Sequence, residues 1–424
     1  MTGRVIAAAF PLALLGGCSS ASTPSGNVTA VNAEVSGSSP SATTSSGTSC
    51  SWTKVRSPNS APSRFYEQLR RIAVASPNDA WALGLAYVDQ EGGAERPVLL
   101  HWDGRSWRRR TDALGRVGVP DISASSPSNV WAVGSQGNHG IGERWDGSSW
   151  TISRLAEPAR KGWVLDGVVA LSPSDVWAVG YMHLGERNSD GFGALIEHWD
   201  GTEWSITPTP PPHPSIPGDI AYARLYSVAA SGPNDVWAVG EASYQYGPSA
   251  VSDTLVEHWD GARWSVAPTP DVASPRGIPF DHLFSVAAVS PTDVWAVGSY
   301  GTADFFGGRG DHPLVLHWDG IRWTGASTPP QESAPLRWAR LTGVAADGSG
   351  TVWAVGSAGS GTQRQPIATT WDGHRWTAST VHGPAGSTFN DVALSPSGGL
   401  PWAVGSMIRP GAPEQTLTAR CSPS

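Results

Sequence analysis

Two short strings alternate along most of this chain, and their repetition restricts the fold more than any other feature. One string ends in Trp-Ala-Val-Gly, as in SPSDVWAVG at 172–180, and the other reads HWDG with a tryptophan soon after, as in HWDGARW at 258–264. The tryptophans of the first string are spaced by roughly 46 to 60 residues, in or just above the range of propeller repeats. They are Trp81, Trp131, Trp177, Trp237, Trp295, Trp353 and Trp402.

Each repeat predicts four short β-strands. Small and β-branched residues at 227–230 predict an inner strand A, and the Val-Trp-Ala-Val-Gly run at 236–240 predicts strand B. Strand C covers 255–259, and the Asp-Gly pair at 260–261 predicts a two-residue hairpin turn into a tryptophan-bearing strand D. Only 15% of the residues are charged and glycines number 50, which also favours short strands and turns. Because such units repeated around an axis form a β-propeller, the sequence predicts an all-β fold.

The last repeat is incomplete, and its missing part lies at the other end of the chain. After Trp402 comes a C-like strand that reaches Cys421, with no Asp-Gly turn and no strand D behind it. Residues 50–55 supply a strand D, in which Trp52 takes the usual tryptophan position. In this alignment Cys50 and Cys421 flank the turn and lie directly opposite each other, which suits a disulfide. We therefore predict a seven-bladed β-propeller of four-stranded antiparallel blades, with the last blade closed by both termini.

The first residues predict an export signal. Arg4 precedes an apolar run over 5–15, which is too short to span a bilayer but suits a signal peptide. The string LGGC at 15–18 resembles the lipobox of bacterial lipoproteins. That resemblance implies cleavage after residue 17, lipidation of Cys18 and a membrane-anchored protein on the extracytoplasmic side. The alternative is an ordinary signal peptide cut nearby, with an incidental cysteine.

The chain therefore divides into three predicted parts. Residues 1–17 form the signal peptide, residues 18–49 form a disordered Ser/Thr/Gly/Pro tether, and residues 50–424 form a single propeller domain. The tether has almost no charge and few large apolar residues, so it cannot bury enough surface to fold. With Cys18 lipidated and the other two cysteines paired, no free thiol remains, as expected in an oxidising compartment.

The repeat resembles the kelch-type repeat of the central domain of galactose-oxidase-like proteins. The resemblance rests on strand B ending in glycine, strand C ending near an aromatic residue and a tryptophan following on strand D. It departs from the kelch pattern because single glycines stand where that pattern has a pair, at Gly134, Gly180, Gly240 and Gly298. The resemblance implies the fold. No active-site residue of such enzymes has a counterpart in this sequence.

The two ends of the predicted propeller differ. The A–B and C–D turns are short and uniform, whereas the B–C and D–A loops are long and different in every repeat. Since binding residues concentrate on variable loops of a rigid scaffold, we expect the binding surface on the long-loop face. Its candidate ligand-binding residues are Tyr181, His183, Tyr244, Tyr246, Tyr300, Phe305, Phe306, Arg309, Asp311 and His312. Two alternatives stay open: the phenylalanines pack on their own loop, or Arg309-Gly-Asp311 acts as an integrin-type tripeptide.

Strand A contributes a second set of candidates at the axis. Arg224, His282 and Arg340 each precede a strand-A leucine and would ring the mouth of the channel. A second position of the repeat lies two residues after that leucine or its equivalent. It is occupied by Arg71, Asp121, Gly167, Ser227, Ser285, Gly343 and Asp391. Both sets have a plain alternative, in which they are solvated residues beside a water-filled channel.

These features favour a binding protein over an enzyme. The four histidines of the HWDG column belong to different units and cannot share a metal, and the recurring aspartates are turn residues. We expect no cofactor and, given the net charge of −8, no nucleic-acid partner. The predicted function is a monomeric surface lipoprotein that binds a glycan, peptide or envelope protein through its long-loop face. The alternatives are an extracellular carbohydrate-active enzyme, namely a hydrolase, a lyase or a galactose-oxidase-like copper enzyme, and an assembly scaffold.

Overall fold

The computed structural model describes most of the chain from Cys50 onward. The described residues are 50–59, 66–87, 95–111, 118–137, 139–158, 162–185, 191–211, 220–246, 249–270, 278–303, 312–326, 338–360, 363–383, 386–409 and 411–423. The predicted signal peptide and tether, with Cys18, lie outside them. Within these residues there is no helix whose length and apolar character would let it cross a membrane.

The described residues form β-strands that group by repeat unit. The first strand is β1 (Cys50–Val55), and unit 1 then consists of β2 (Tyr66–Ser76), β3 (Asp79–Tyr87), β4 (Arg96–Trp102) and β5 (Trp107–Arg110). Unit 2 consists of β6 (Gly118–Ser126), β7 (Asn129–Gln136), β8 (His139–Trp145) and β9 (Trp150–Ser153). Unit 3 consists of β10 (Trp163–Ser172), β11 (Asp175–His183), β12 (Phe192–Trp199) and β13 (Trp204–Ile206). Each unit is a four-stranded antiparallel meander, as the repeat predicts.

The remaining strands continue this pattern with additions. Unit 4 consists of β14 (Ile220–Gly232), β15 (Asp235–Tyr246), β16 (Ser249–Trp259) and β17 (Trp264–Val266), and unit 5 of β18 (Ile278–Pro279), β19 (His282–Ser290), β20 (Asp293–Tyr300), β21 (Thr302–Ala303), β22 (His312–Trp318) and β23 (Trp323–Gly325). Unit 6 consists of β24 (Trp338–Ala346), β25 (Val352–Ser360), β26 (Gln363–Trp371) and β27 (Trp376–Ala378). The last strands are β28 (Thr380–His382), β29 (Thr388–Ala393), β30 (Trp402–Met407) and β31 (Gln415–Pro423). Strands β15 and β16 are longer than their equivalents and form an extended hairpin. Strands β18 and β21 form a separate two-stranded ribbon.

The prediction of seven separate blades is wrong. Counted by hydrogen bonding among the described residues, five blades are sheets of their own: four sheets of four strands and one of five. The units β10–β13 and β14–β17 are instead joined into one eight-stranded sheet. Its two halves meet through a parallel pairing of Phe192 in β12 with Tyr222 in β14. The N-terminal extension of β14 makes this pairing, and the repeat pattern carried no sign of it.

Tryptophans fill the interfaces between successive units. The strand-B tryptophan of one unit packs on the strand-C and strand-D tryptophans of the next, as Trp237 does on Trp318 and Trp323, with ring centroids 5.0 and 5.4 Å away. The same arrangement recurs where Trp402 meets Trp102 and Trp107 of unit 1. Trp237 and Trp402 are each only 1% exposed. Large edge-to-face aromatic contacts of this kind bury the faces that a single unit leaves open.

The C–D turns differ in length from the prediction. Strand pairing of Trp102 with Trp107 leaves a four-residue loop at 103–106, rather than a two-residue Asp-Gly turn. The Asp103 carboxylate accepts hydrogen bonds from the N–H groups of Arg105 and Ser106, at 3.0 and 2.8 Å. These backbone hydrogen bonds hold the pKa of Asp103 below its ordinary value. Gly104 adopts a φ of 85°, which explains the glycine after the aspartate.

Both termini meet in the five-stranded sheet, whose order is β28-β1-β31-β30-β29. The predicted disulfide between Cys50 and Cys421 is confirmed, with Cα atoms 5.5 Å apart. The predicted register is wrong, because Trp52 lies directly opposite Cys421 and Cys50 lies opposite Pro423. The four-residue C–D loop explains the difference, since it shifts the opposed pair by one residue on each strand. The disulfide packs with Trp353 of the preceding unit, in the place that tryptophans fill elsewhere.

Candidate functional site

The strand-A bulges place side chains around the propeller axis. In each unit the pairing of strand A with strand B shifts register at the same place, as between Leu69 and Arg71 or between Leu225 and Ser227. A bulge leaves an extra residue unpaired and redirects its side chain. These bulge residues are Arg70, Pro120, Asp166, Tyr226, Phe284, Thr342 and Asn390. All of them except Phe284 line a cavity of about 350 Å³, together with Gln68, Arg71 and Arg224.

The cavity lies toward the long-loop face. Its residues stand in the first half of strand A, which enters from the D–A loops, whereas the short A–B turns follow the second half. An axial cavity of this size is at the lower end of the range for small-ligand pockets.

The strand-A column after the bulge connects neighbouring units beneath the cavity. Asp391 accepts a hydrogen bond from the N–H of Ile72 at 3.0 Å, and Asp121 accepts one from the N–H of Val168 at 2.8 Å. Ser227 and Ser285 accept equivalent bonds from Val286 and Val344. At Gly167 and Gly343 the next strand approaches so closely that a Cβ would lie 3.0 and 2.8 Å from its Cα atoms. Apart from Arg71, which lines the cavity, this column therefore joins units rather than lining an open channel.

Arg224 is the best-held cation of the site. It donates hydrogen bonds of 2.7 Å from Nε and from a terminal nitrogen to the two carboxylate oxygens of Asp166. Its guanidinium also lies 4.8 Å from the ring centroids of both Tyr181 and Tyr226, within the range of cation–π attraction. Burial alone would lower the pKa of Arg224, but the hydrogen bonds and charge of Asp166 outweigh it and raise that pKa. Burial raises the pKa of Asp166, and Arg224 opposes this effect.

A second polar network continues from Tyr226. Its hydroxyl donates a short hydrogen bond to Glu241, which also accepts one from Ser252 at 2.7 Å. His282 lies 3.1 Å from the same carboxylate. Burial, together with the nearby Glu241 charge, raises the pKa of Tyr226 far above its ordinary value, so this phenol stays protonated. The network links β14, β15, β16 and β19, and it fixes the Tyr226 ring at the cavity edge.

Aromatic rings extend outward from the cavity on both sides. On one side Tyr181 contacts Phe192, which contacts His183 and Tyr222, with centroid distances of 5.0, 4.5 and 5.2 Å. On the other side Tyr226 contacts Phe284, followed by His282 and Phe280. We call this set the aromatic arc; its members are Tyr181, His183, Phe192, Tyr222, Tyr226, Phe280, His282 and Phe284. Its two ends are exposed, with Tyr222 at 40% and Phe280 at 42%.

The structure places the predicted site residues in several groups. Tyr181, His183, Arg224 and His282 come together in the arc or beside it. Tyr244 lies nearby on β15, where its hydroxyl donates a 2.9 Å hydrogen bond to Asp253. Tyr300 and His312 pair with each other across β20 and β22, at 5.1 Å between ring centroids. Arg340 stands apart from the cavity, exposed, with its guanidinium 5.2 Å from the Trp338 ring. Phe305, Phe306, Arg309, Asp311 and the Tyr246 side chain lie outside the described residues.

Several members of the site were missed from the sequence. Arg70, Asp166, Tyr226 and Asn390 occupy the bulge column, between the strand-A leucine or its equivalent and the column that joins the units. A signal was present, because this column varies from Arg to Asp to Tyr within otherwise uniform strands. The signal was missed because side chains alternate between the two faces of an ideal strand. In such a strand the side chain at this position would point to the face opposite to that of the residues before and after it. The bulge breaks that alternation.

The acidic side chains of the arc region and the HWDG-column histidines are engaged with neighbouring side chains. Among the described residues no cluster of three or more His, Cys, Asp or Glu side chains could hold a metal ion. The two carboxylates of the arc region, Asp166 and Glu241, are already engaged by Arg224 and by Tyr226. The HWDG-column histidines bond to strand-B aspartates and stack on strand-B tryptophans, as His258 does with Asp235 at 2.7 Å and with Trp237 at 4.0 Å. Those histidines serve the fold.

Solved structures similar to this chain are propellers. YCF48 bound to D1 peptide matches with a TM-score of 0.50 and 15% identity, over 87% of this chain and 94% of that one. The GH74 xyloglucanase from Xanthomonas campestris matches with a TM-score of 0.46 and 15% identity, over 87% of this chain and 55% of that one. RRP9 WD40 repeats match with a TM-score of 0.46 and 11% identity, over 87% and 99%.

The likeness to the YCF48 structure and the repeated four-stranded antiparallel sheets show the fold. The chain is a β-propeller. No protein-family model matches the sequence, and the curated proteins contain no match.

Proposed function

We propose that this protein is a peptide-binding propeller that captures an extended segment of a partner protein on its aromatic arc. The observation that carries the proposal is the arc itself, two rows of rings on the long-loop face that Arg224 connects between Tyr181 and Tyr226, with an exposed ring at each outer end. Rigid aromatic rings beside an arginine are the side chains that dominate binding energy at protein interfaces. The YCF48 propeller, bound to a peptide in its solved structure, supports a peptide as the ligand.

The rings are held in place before any ligand arrives. Tyr226 is fixed through Glu241, Arg224 is fixed through Asp166, and Phe192 packs against Tyr181 in a T-shaped contact. Side chains already held in one conformation lose little entropy on binding. A glycan is a less suitable ligand, because these rings pack tilted or edge to face on one another and do not present a row of parallel open faces. A hydrolytic site is also less well served, because both nearby carboxylates are engaged.

The cellular setting of this function remains a proposal from the sequence. We propose that Cys18 carries a lipid that anchors the protein on the extracytoplasmic side of a bacterial membrane, with 18–49 as its tether. We propose further that the repeat is a divergent kelch-type repeat and that the partner is an envelope protein. The buried Cys50–Cys421 disulfide supports an oxidising compartment, because such bonds persist outside the reducing cytosol.

The test is a screen of a displayed library of random 12-residue peptides against the full-length protein. Selected peptides should lose at least tenfold in affinity for the variant that combines Tyr222→Ala with Phe280→Ala. The matched control is Ile321→Ala, which removes an 84% exposed apolar side chain from a C–D turn on the opposite face. Affinity for that control should match the wild type. The absence of any selected peptide, or equal loss in both variants, would refute the proposal.

A further inference from the structure

The axial cavity beside the arc contains an arginine, Arg70, for which no close ion pair forms among the described residues. Three guanidinium groups line the cavity, from Arg70, Arg71 and Arg224, but Asp166 is the one carboxylate among its lining residues. Both carboxylate oxygens of Asp166 accept hydrogen bonds from Arg224. Arg71 lies 3.5 Å from Asp121 and also interacts electrostatically with Asp391. Burial lowers the pKa of Arg70, and the charges of Glu95 and Glu414 oppose that effect, but among the described residues no carboxylate forms a close ion pair with Arg70.

The neutral lining residues leave that cation accessible. Asn390 donates its amide N–H to the carbonyl of Leu69 at 2.7 Å, and Thr342 donates its hydroxyl to the carbonyl of Phe389 at 3.2 Å. Both side chains are therefore held by the neighbouring backbone. Gln68 stands two residues before Arg70 on β2 and adds an amide to the same wall. The donors that face the cavity are thus Arg70, Arg71 and the Gln68 amide.

We propose that this cavity binds a carboxylate group of the ligand, with Arg70 as its main cation and Arg71 and Gln68 as further donors. A carboxylate matches the planar fork of a guanidinium in shape and in hydrogen-bond geometry. It also matches in charge, because a guanidinium without a close carboxylate partner balances a monoanion, whereas a phosphate ester would bring close to two negative charges. The proposal rests on the proposed function, since the carboxylate would enter between the two sides of the arc.

This assignment gives the site a preference for acidic ligands in addition to its affinity for peptides. Tyr226 belongs to the arc and to the cavity wall, so a ligand lying along the arc would pass over the cavity mouth. A ligand with a neutral group at that point would leave Arg70 desolvated and without a partner, which costs binding energy. Acidic ligands would therefore be preferred although the whole chain has a net charge of −8.

Three pairs of small probes test the proposal and distinguish the sources of a carboxylate. They are N-acetyl-aspartate methylamide with its asparagine counterpart, N-acetylglycine with its amide, and methyl glucuronide with methyl glucoside. The pairs stand for an acidic side chain, a chain terminus and an acidic sugar. Binding to the full-length protein is measured by ligand-observed NMR titration. We expect the acidic member of at least one pair to bind tenfold or more tightly than its neutral counterpart.

The arginine variants then assign the effect to the cavity. In Arg70→Gln the preference for the acidic probe should fall to within twofold of the neutral one. In Arg263→Gln, which removes an 82% exposed arginine side chain on a C–D turn, the preference should remain. No preference in any of the three pairs, or a preference that survives Arg70→Gln, would overturn the carboxylate site. If peptides still depend on Tyr222 and Phe280 in that case, the proposed function stands and the cavity assignment alone falls.

Discussion

Asp166 and Arg224 form a two-point ion pair, with both hydrogen bonds 2.7 Å long, across two units of the eight-stranded sheet. Asp166 is a bulge residue of β10 and Arg224 stands on β14, so the pair joins two inner strands at the rim of the axial cavity. It also positions the guanidinium between Tyr181 and Tyr226. The stability of the sheet and the shape of the candidate site therefore depend on the same contact.

Substituting one partner of this pair should destabilise the protein. Asp166→Asn leaves the Arg224 charge without its anion, and we expect a loss of about 1–3 kcal/mol in the free energy of unfolding, less than for a fully buried pair because Arg224 is 39% exposed. Denaturant unfolding of Asp166→Asn, Arg224→Gln and the double variant measures this. The double variant should lose clearly less than the sum of the two single losses; simple additivity would show that the pair is not coupled.

The disulfide should contribute strongly to stability, because it closes a loop of 371 residues. Replacing Cys50 and Cys421 together by serine should cost about 2–4 kcal/mol, below the roughly 6 kcal/mol of the chain-entropy model because strand pairing also holds the termini. Chemical unfolding of the double variant gives the value. The reference is wild-type protein with the disulfide intact, and equal unfolding midpoints would contradict the expectation.

Two partly buried carboxyls at the axis should make stability depend on pH. Burial raises the pKa of Asp121 to about 7 and that of Asp391 to about 6, although Arg71 opposes both shifts. Folded protein therefore binds more protons than unfolded chain between about pH 4 and pH 7. The contribution of these groups is complete below pH 4 and is lost as the pH rises through 7. The combined variant Asp121→Asn with Asp391→Asn should lose less stability than the wild type between pH 5 and pH 8.

A turn aspartate provides the control for that measurement. Backbone hydrogen bonds lower the pKa of Asp372, which is partly exposed. Its contribution to stability is present above the unfolded pKa and is lost as the pH falls below about 4. Asp372→Asn should therefore leave the slope between pH 5 and pH 8 unchanged. An equal change of slope in both variants would show that the axial carboxyls are not its source.

Glu257 should reduce stability in alkaline solution. It is fully buried, burial raises its pKa to about 8, and neither carboxylate oxygen has a hydrogen-bond partner among the described residues. The equivalent Glu197 accepts the N–H of Ala156, which lies six residues after the strand-D Trp150. The residue six positions after the equivalent Trp204 is Pro210, which has no N–H.

A methionine at this position tests the idea. Because the folded pKa is raised, the glutamate penalty grows between about pH 4.5 and pH 8 and is complete above pH 8. Glu257→Met should therefore be more stable than the wild type at pH 8.5, by about 1–3 kcal/mol, with little gain at pH 5. Thermal unfolding at the two pH values measures the difference. A variant that is less stable at both would contradict the argument.

Most of the fold could be predicted from the two repeated strings. They predicted strands A to D, the tryptophan interfaces, the union of the termini and the Cys50–Cys421 bond, because each depends on residues that recur at fixed spacing. The merging of two units was not predictable in this way, since it depends on one parallel contact between Phe192 and Tyr222 in regions that do not repeat. The turn length was also mispredicted, because an Asp-Gly pair fits both a two-residue and a four-residue loop.

The candidate site was predicted only in part. Aromatic residues at the ends of strand B identified Tyr181 and His183, and the polar residues before the strand-A leucines identified Arg224 and His282. Arg70 and Tyr226 were not identified, because their direction depends on a backbone bulge and not on residue type. The bulge column is visible in the sequence only after the strand register is known.

Hydrogen–deuterium exchange of the full-length protein, with and without a peptide selected from the random library, tests the central claim most directly. We predict that bound peptide slows exchange in β14 at 220–226 and in the segment 278–284, which carry rings from both sides of the arc. We predict no change of exchange in the C–D turns at 260–263 and 319–322. Protection confined to those turns, or absent from both arc segments, would contradict the proposal that the aromatic arc is the binding surface.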